Sequence, residues 1–217
     1  MRKAGDLIAQ MLRSVDNKNN RKAVGEGSYG VVYESDTPGY VVKEARTFAE
    51  DLTREADFQS IAADMGFAPR VSAVESSPFD GDILEMQDAR PNFELHRTNR
   101  QFPTGTDAVR VNQQLGALAL KGVDLDDRHT GNIMYNKMTG RPLQLDFGKS
   151  RNVTGEDQVA ALTNATEAGF AAAGLGDVAR IYSDTVYDLL AGGDVAEAMD
   201  IAKQGFSRLQ KIKGPLA

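Results

Sequence analysis

The spacing of apolar side chains divides the chain into a strand-rich first third and a helix-rich remainder. Between about residues 22 and 42, β-branched and aromatic residues alternate with glycine-rich turns, and "DTPG" splits this stretch into a hairpin. The segments "RVSAVESS" and "GDILEMQDA" have the same character and predict two further strands around a turn at "SPFDGD". The first third of the chain is therefore expected to form a sheet.

Helical spacing begins with "FAEDLTREADFQSIAADMG", where Gly66 supplies the stop signal. The looser stretch "RPNFELHRTNRQFPTGT" then leads into a second helix, "DAVRVNQQLGALALKG". Three more helices are predicted near the C-terminus, over "EDQVAALTNATEAGFAAAG", "DVARIYSDTVYDLLAGG" and "DVAEAMDIAKQGFSRLQKIK". Ahead of the sheet, residues 1–20 predict a short amphipathic helix followed by a polar linker.

This order of elements predicts an α+β fold with two lobes and a cleft between them. The expected parts are the N-terminal helix and linker at 1–20, a β-rich lobe at 21–87, and a shortened helical lobe at 88–217.

Composition excludes several classes of function. The 217 residues include no cysteine, which excludes disulfides, thiolate metal sites and a cysteine nucleophile. The net charge of -6 argues against nucleic-acid binding. No apolar run is long enough to span a bilayer, and the N-terminus lacks the continuous apolar core of a secretory signal. The sequence therefore predicts a cytosolic working environment, with export by a specialised secretion machine left open.

The glycine-rich stretch "GEGSYGVVY" is the first candidate binding element. Gly25, Gly27 and Gly30 fit the pattern G-x-G-x-x-G-x-V, and the candidate residues Ser28 and Val31 lie inside it. Glycine has no Cβ, so a backbone of this kind can lie close over phosphate groups. Because the following residues continue as a strand, the pattern favours a phosphate-covering hairpin over the strand-to-helix turn of dinucleotide folds. A glycine-rich hairpin that binds nothing is the alternative.

A lysine and a glutamate follow this hairpin in the sequence. Lys43 in "YVVKEA" ends an apolar strand and is expected to face the space beneath the glycine-rich stretch. At that place a lysine can bind the α- and β-phosphates of a nucleotide, provided that a carboxylate holds it. Glu55 on the next helix is the expected partner, and Glu50 is the fallback. Taken singly, each of these residues is equally consistent with a solvated surface.

Three oxygen-bearing side chains lie close together later in the chain. "DDRHTGN" places Asp127 and Asn132 at D-x-x-x-x-N spacing, and "LDFG" adds Asp146. In a kinase catalytic loop with this spacing, the aspartate orients the acceptor hydroxyl and receives its proton, while the asparagine holds Mg²⁺. Asp146 would complete the metal site, because Mg²⁺ prefers a few hard oxygen ligands beside nucleotide phosphates. Singly, Asp127 and Asp146 could be turn residues, but the whole ordered set argues for one site.

With these motifs in order, residues 25–148 resemble the protein-kinase superfamily. The resemblance implies a minimal bilobal kinase-like fold with an ATP and Mg²⁺ site between the lobes. It also implies that Leu84 lies at the back of the nucleotide pocket, and that the backbone of Glu85, Met86 and Gln87 contacts adenine.

The chain departs from ordinary protein kinases in two ways. "LDD" replaces the usual H-R-D, and "DRHTGN" is more similar to the catalytic loop of phosphoinositide-type lipid kinases. The resemblance then implies that His129 takes the place of the catalytic-loop lysine, where its charge could stabilise the transferring phosphoryl group. A purely structural role for His129 inside the loop is equally open. After "DFGKS" there is no A-P-E motif, and residues 151–217 are too few for the helical lobe of an ordinary protein kinase.

A minimal kinase of this size is similar to secreted bacterial effector kinases, which phosphorylate the eukaryotic ninety-kilodalton heat-shock chaperone on a serine. The resemblance implies an ATP-dependent serine/threonine protein kinase that uses Mg²⁺ and acts on a protein, such as this chaperone, in a host cytosol. A small-molecule kinase of the antibiotic-phosphotransferase type and an ATP-binding pseudokinase stay open as alternatives.

Overall fold

The computed structural model of the protein describes residues 21–26, 30–46, 51–77, 81–95, 105–127 and 129–213. The predicted N-terminal helix, the glycine-loop residues Gly27 and Ser28, and Glu50 lie outside these ranges. The described residues form two compact units. The first contains those up to Thr53 together with Val71–Asp88, and the second contains Arg54–Arg70 together with those from residue 89 onward. The predicted domain bounds at 20/21 and 87/88 stay predictions.

The first unit is a five-stranded antiparallel sheet in the order β1-β2-β3-β5-β4. Its strands are β1 (Ala23–Glu26), β2 (Gly30–Glu34), β3 (Tyr40–Ala45), β4 (Val71–Ser77) and β5 (Gly81–Gln87). All four predicted strand segments are confirmed: the stretch before "DTPG" forms β1 and β2, the stretch after it forms β3, and the two later segments form β4 and β5.

The turn between β2 and β3 shows why "DTPG" ends one strand and starts the next. The Ser35 hydroxyl accepts a hydrogen bond from the Thr37 N–H at 3.0 Å. Gly39 has a φ of 84°, in the left-handed region that favours glycine. The Tyr40 N–H then donates to the Thr37 carbonyl at 3.2 Å, which closes the turn and starts β3. The predicted hairpin is confirmed.

The second unit is built mainly from helices. They are α1 (Leu52–Asp64, whose first two residues belong to the first unit), α2 (Gly105–Leu120), α3 (Gly155–Ala172), α4 (Gly176–Ala191) and α5 (Val195–Leu209). The stop predicted at Gly66 is confirmed: its φ is 75°, and the Phe67 N–H reaches back to the Ala62 carbonyl at 2.8 Å, as in a Schellman cap. The three C-terminal helices also occur where the apolar spacing predicts them.

Five short strands in the second unit connect the segments that carry the candidate chemistry. They are β6 (Phe93–Leu95), β7 (Val123–Asp124), β8 (Ile133–Asn136), β9 (Pro142–Gln144) and β10 (Arg151–Asn152). One antiparallel sheet has the order β6-β8-β9, and β7 pairs with β10. The apolar spacing of the sequence could not predict these strands, because two to four residues are too few to show a period.

Two clusters of buried side chains form the core of the second unit. One lies among α2, α3, α4 and α5, where a Cβ at Gly116 would overlap the Phe206 ring, so glycine permits the close helix contact. The other surrounds β7 and β8 and includes Phe147, which is fully buried. The predicted α+β class is confirmed. Among the described residues, none of the helices is both long enough and apolar enough to cross a membrane.

Candidate functional site

The glycine-rich hairpin lies at one edge of the sheet in the first unit. Gly25 lies in β1, and Gly30 and Val31 begin β2. A Cβ on Gly25 would lie 3.7 Å from the Val32 Cβ, which is an ordinary contact. A Cβ on Gly30 would lie 2.6 Å from the carbonyl oxygen of Glu44 on β3, which is too close for any real side chain. Gly30 is therefore required by the packing of β2 against β3.

Lys43 lies in β3, opposite Val32 in β2 and Leu84 in β5. Its side chain is only 6% exposed, although lysine is almost never buried without interactions that compensate its charge. The Lys43 Cε and Cγ atoms would lie 3.2 and 3.3 Å from a Cβ on Gly30, so the lysine stem runs directly beside the last glycine of the pattern. The structure thus brings together the lysine and the hairpin that the sequence associates with phosphate binding.

Glu85 and Gln87 lie inside β5, where they stand opposite Val42 and Tyr40 of β3. The predicted adenine-contacting segment is therefore part of the sheet. The Glu85 carboxylate accepts a hydrogen bond from the Ser35 hydroxyl at 2.6 Å. This bond, with smaller contributions from the hydroxyls of Ser72 and Thr37, outweighs desolvation and lowers the pKa of Glu85 below its ordinary value. The role predicted for these residues in adenine binding stays a prediction.

Glu55 lies in the first turn of α1 and is 2% exposed. It belongs to the second unit, whereas Lys43 belongs to the first, so the pairing of the two residues stays a prediction. The neighbouring Arg54 has a guanidinium that lies 5.5 Å from the centre of the Phe58 ring and donates to the Ser150 carbonyl at 3.1 Å. Helix α1 is thereby tied to the segment that follows "DFG".

The pairing of β7 with β10 brings the "DDRHTGN" segment close to the segment that follows "DFG". Asp124 stands opposite Arg151 in this pair. The Arg151 Nε and Nη2 atoms donate to Oδ2 of Asp124 at 3.1 and 2.9 Å, and these bonds to the carboxylate raise the pKa of Arg151. Asp127 follows β7 by three residues and Lys149 precedes β10 by two. The two-stranded sheet therefore holds the start of one segment beside the end of the other.

Hydrogen bonds within "DDRHTGN" fold this segment into a compact loop that ends in a 3-10 turn. The Gly131 N–H donates to Nδ1 of His129 at 3.1 Å, and the Asn132 N–H donates to the His129 carbonyl at 3.0 Å. The Asn132 side-chain amide donates to the Asp127 carbonyl at 3.2 Å. Because the amide nitrogen of Asn132 is used in that bond, its amide oxygen is the atom that could bind a cation.

Asp146 adopts an unusual backbone conformation directly after β9. Its φ is 55°, and it is the only residue other than glycine with a positive φ in the part of the chain that the structure describes. Such strain costs on the order of 1 kcal/mol or more, and it persists where the surroundings impose it, often at functional sites. The preceding residue, Leu145, donates its N–H to the Asn132 carbonyl at 2.7 Å. The residue directly before Asp146 is thus bonded to Asn132, which keeps the two predicted metal ligands on neighbouring backbone segments.

Lys149 is a residue of this site that the sequence patterns did not single out. Its Nζ lies 3.1 Å from Oδ2 of Asp127. The other carboxylate oxygen, Oδ1, lies 3.6 Å from Nε2 of His129. A lysine directly after "DFG" is the only sequence signal that could have indicated this contact, and surface lysines are too common for that signal to count alone.

The donor set of the loop suits Mg²⁺ carried on nucleotide phosphates. Asn132 offers an amide oxygen and Asp146 a carboxylate, which are hard ligands of the type that Mg²⁺ prefers, and nucleotide phosphates and water would supply the remaining oxygens. Within the described ranges, no group of three or more histidine, cysteine or acidic side chains is placed to hold a metal by itself. The metal site predicted here uses one carboxylate and one amide together with nucleotide phosphates, so it does not need three acidic or histidine side chains.

The similarity of this chain to known proteins is limited. No family model matches the chain. Over 160 residues the chain is 28% identical to the protein kinase rad3 of Schizosaccharomyces pombe; the match covers 65% of this chain but 6% of that much longer protein. The solved structure of the kinase PK-1 of Cydia pomonella granulovirus superposes with a TM-score of 0.46 at 15% identity, over 66% of this chain and 59% of that one. In sequence this chain is similar to part of one protein kinase, and it is not shown to belong to a kinase family.

Proposed function

We propose that the protein is an ATP-dependent phosphotransferase, and that it is a serine/threonine protein kinase of a minimal, atypical type. The observation that carries this proposal is that Asn132 bonds to Asp127 through its side-chain amide and to Leu145, the residue before Asp146, through its carbonyl. The similarity to a protein kinase over 65% of the chain supports the same reading. The buried Lys43 beside Gly30 in the first unit adds a phosphate-binding element that such an enzyme requires.

In the proposed mechanism, ATP supplies the transferable phosphoryl group, and Mg²⁺ bound to its phosphates neutralises part of their charge. Asp127 accepts a hydrogen bond from the acceptor hydroxyl, aims its oxygen and receives its proton. Asn132 and Asp146 would hold this metal through their side-chain oxygens. Lys43, which the sequence pairs with Glu55, binds the α- and β-phosphates beneath the hairpin of Gly25 and Gly30. Most of the acceleration then comes from positioning and charge.

The acceptor is proposed to be a serine or threonine of a protein. The similarity to minimal effector kinases makes a host heat-shock chaperone the first candidate, and it implies work in a host cytosol after export from a bacterium. This part of the proposal rests on the resemblance of the motifs.

Labelling of a eukaryotic cell lysate tests the nature of the acceptor. The purified protein is incubated in the lysate with γ-labelled ATP and Mg²⁺, beside the Asp146→Asn variant. We expect one strongly labelled protein band with the wild type and none with the variant, and the band's size tests the chaperone directly. Label that appears only in small molecules would refute a protein acceptor and establish a small-molecule kinase. Nucleotide binding with no transfer to any acceptor would leave the pseudokinase.

A further inference from the structure

Two basic side chains of the described residues lie beside the Asp127 carboxylate, and only one of them is within hydrogen-bond distance. Lys149 Nζ lies 3.1 Å from Oδ2, whereas His129 Nε2 lies 3.6 Å from Oδ1, beyond an ordinary hydrogen bond. If Asp127 orients the acceptor hydroxyl, whichever of these groups is positively charged lies next to the point of transfer. The two candidates can be distinguished by their hydrogen bonds.

Both ring nitrogens of His129 face groups of its own loop. Nδ1 accepts a hydrogen bond from the Gly131 N–H at 3.1 Å, and Nε2 lies 3.6 Å from the Asp127 carboxylate. The ring also lies close against the backbone, because a Cβ on Gly131 would be 2.9 Å from Nδ1. His129 is therefore positioned to shape the loop.

Lys149 is presented by a turn that is anchored on both sides. The Ser150 N–H donates to the Phe147 carbonyl at 2.9 Å, and both residues are buried, with exposures of 2% and 0%. Arg54 holds the Ser150 carbonyl at 3.1 Å. Between these anchors the Lys149 side chain is 43% exposed, so its ammonium can contact both Asp127 and a group that arrives from solvent. A lysine keeps its charge in such a half-exposed setting.

We propose that Lys149, and not His129, supplies the positive charge at the point of phosphoryl transfer. The inference rests on the proposed phosphotransferase function. In the step, the acceptor oxygen forms a bond to the γ-phosphorus while the bond from that phosphorus to the β,γ-bridging oxygen breaks and ADP leaves. The hydroxyl proton passes to the Asp127 carboxylate. The Lys149 ammonium contacts the oxygens of the transferring group, and as Asp127 takes up the proton its hold on the ammonium weakens, which favours that contact.

Three lysine variants of the full chain test this assignment. Lys149→Met keeps the length of the stem and removes the charge, Lys149→Arg keeps the charge, and Lys203→Met removes a charge from an exposed position on α5 outside the site. With an acceptor in excess, we expect Lys149→Met to lower kcat at least about 100-fold, with a much smaller change in the KM for ATP. Lys149→Arg should restore a large part of the loss, and Lys203→Met should behave as the wild type. His129→Gln should lose less than Lys149→Met.

A binding measurement tests the contact between Lys149 and the γ-phosphate without any transfer reaction. The affinities of ADP with Mg²⁺ and of a non-hydrolysable ATP analogue with Mg²⁺ are compared by titration calorimetry. In the wild type the analogue should bind more tightly, and Lys149→Met should reduce that preference about tenfold, because a charge-assisted contact to the γ-phosphate is lost. Lys149→Arg should recover it.

The outcomes separate this inference from the proposed function. If the wild type transfers phosphate and Lys149→Met does so at a similar rate, the assignment of Lys149 is wrong while the phosphotransferase stands. A larger loss in His129→Gln than in Lys149→Met would return the charge to the histidine. If the wild type transfers nothing, the proposed function fails, and an unchanged analogue preference in Lys149→Met then refutes the phosphate contact as well. Thermal unfolding of each variant shows whether a loss reflects damage to the fold.

Discussion

Replacing Gly30 by alanine should destabilise the protein, whereas the same change at Gly25 should not. Both glycines belong to the same pattern, and neither has a positive φ, so backbone strain distinguishes neither. The new methyl group at Gly30 would meet the Glu44 carbonyl oxygen at 2.6 Å, whereas that at Gly25 would have its nearest contact at 3.7 Å. Alanine should be similarly preferred over glycine in β1 and β2, so the difference between the two variants reports mainly the contact.

The size of the effect follows from the distance that must be gained. A carbon approaches a carbonyl oxygen to about 3.3 Å without repulsion, so β2 and β3 must separate locally by about 0.7 Å from the 2.6 Å contact. That shift would stretch an inter-strand hydrogen bond of about 2.9 Å to about 3.6 Å, beyond its useful range. Overpacking of this kind typically costs about 1–3 kcal/mol. The methyl group would also push on the Lys43 stem, 3.2 Å away at Cε, so ATP affinity should fall too.

Urea unfolding of the two variants measures this difference, and calorimetric titration with ATP and Mg²⁺ measures the second effect. We expect the free energy of unfolding of Gly30→Ala to lie about 1–3 kcal/mol below that of Gly25→Ala. A difference within about 0.5 kcal/mol, the usual scatter for harmless surface changes, would refute the packing argument. Loss of ATP binding in Gly30→Ala without loss of stability would mean that the glycine serves the ligand alone.

Two further predictions concern buried or hydrogen-bonded hydroxyl groups. Ser35→Ala removes the main donor to Glu85, so NMR titration should show the lowered pKa of Glu85 rising toward its ordinary value of about 4.3. Because the folded pKa is the lower one, this bond stabilises the fold above the unfolded pKa and stops doing so as pH falls through the folded value; a mutant that titrates like the wild type would contradict it. Ser150→Ala should leave stability unchanged or raise it by up to about 1 kcal/mol in urea unfolding, because the Ser150 hydroxyl is buried and makes no hydrogen bond to the described residues. A loss of more than about 1 kcal/mol in the free energy of unfolding would show that the hydroxyl does make a hydrogen bond.

The helices and the sheet could be predicted because each is long enough for its apolar period to show. The "DTPG" hairpin and the Gly66 stop also depend on local chemistry, and both are confirmed. The short strands β6 to β10 could not be found in this way, since their pairing is set by tertiary contacts between distant segments.

The same distinction between local signals and distant contacts applies to the candidate site. The spacing within "DDRHTGN" is local, so the proximity of Asp127, His129 and Asn132 could be predicted. The contact of Asp127 with Lys149 could not, because it depends on the β7–β10 pair that brings two distant segments together. The strained φ of Asp146 was hidden as well, since its surroundings and not its sequence impose it.

Transfer of the γ-phosphate by the wild type and by Asp146→Asn, with Asp188→Asn as control, tests the central claim most directly. Asparagine tolerates a positive φ, so Asp146→Asn removes the metal-binding charge without adding the strain that alanine would bring. Asp188 is an exposed aspartate on α4, outside the site. We predict Mg²⁺-dependent transfer by the wild type and the control, and a loss of at least about 100-fold in Asp146→Asn with unchanged thermal unfolding. Equal transfer by all three proteins, or none by the wild type, would contradict the account.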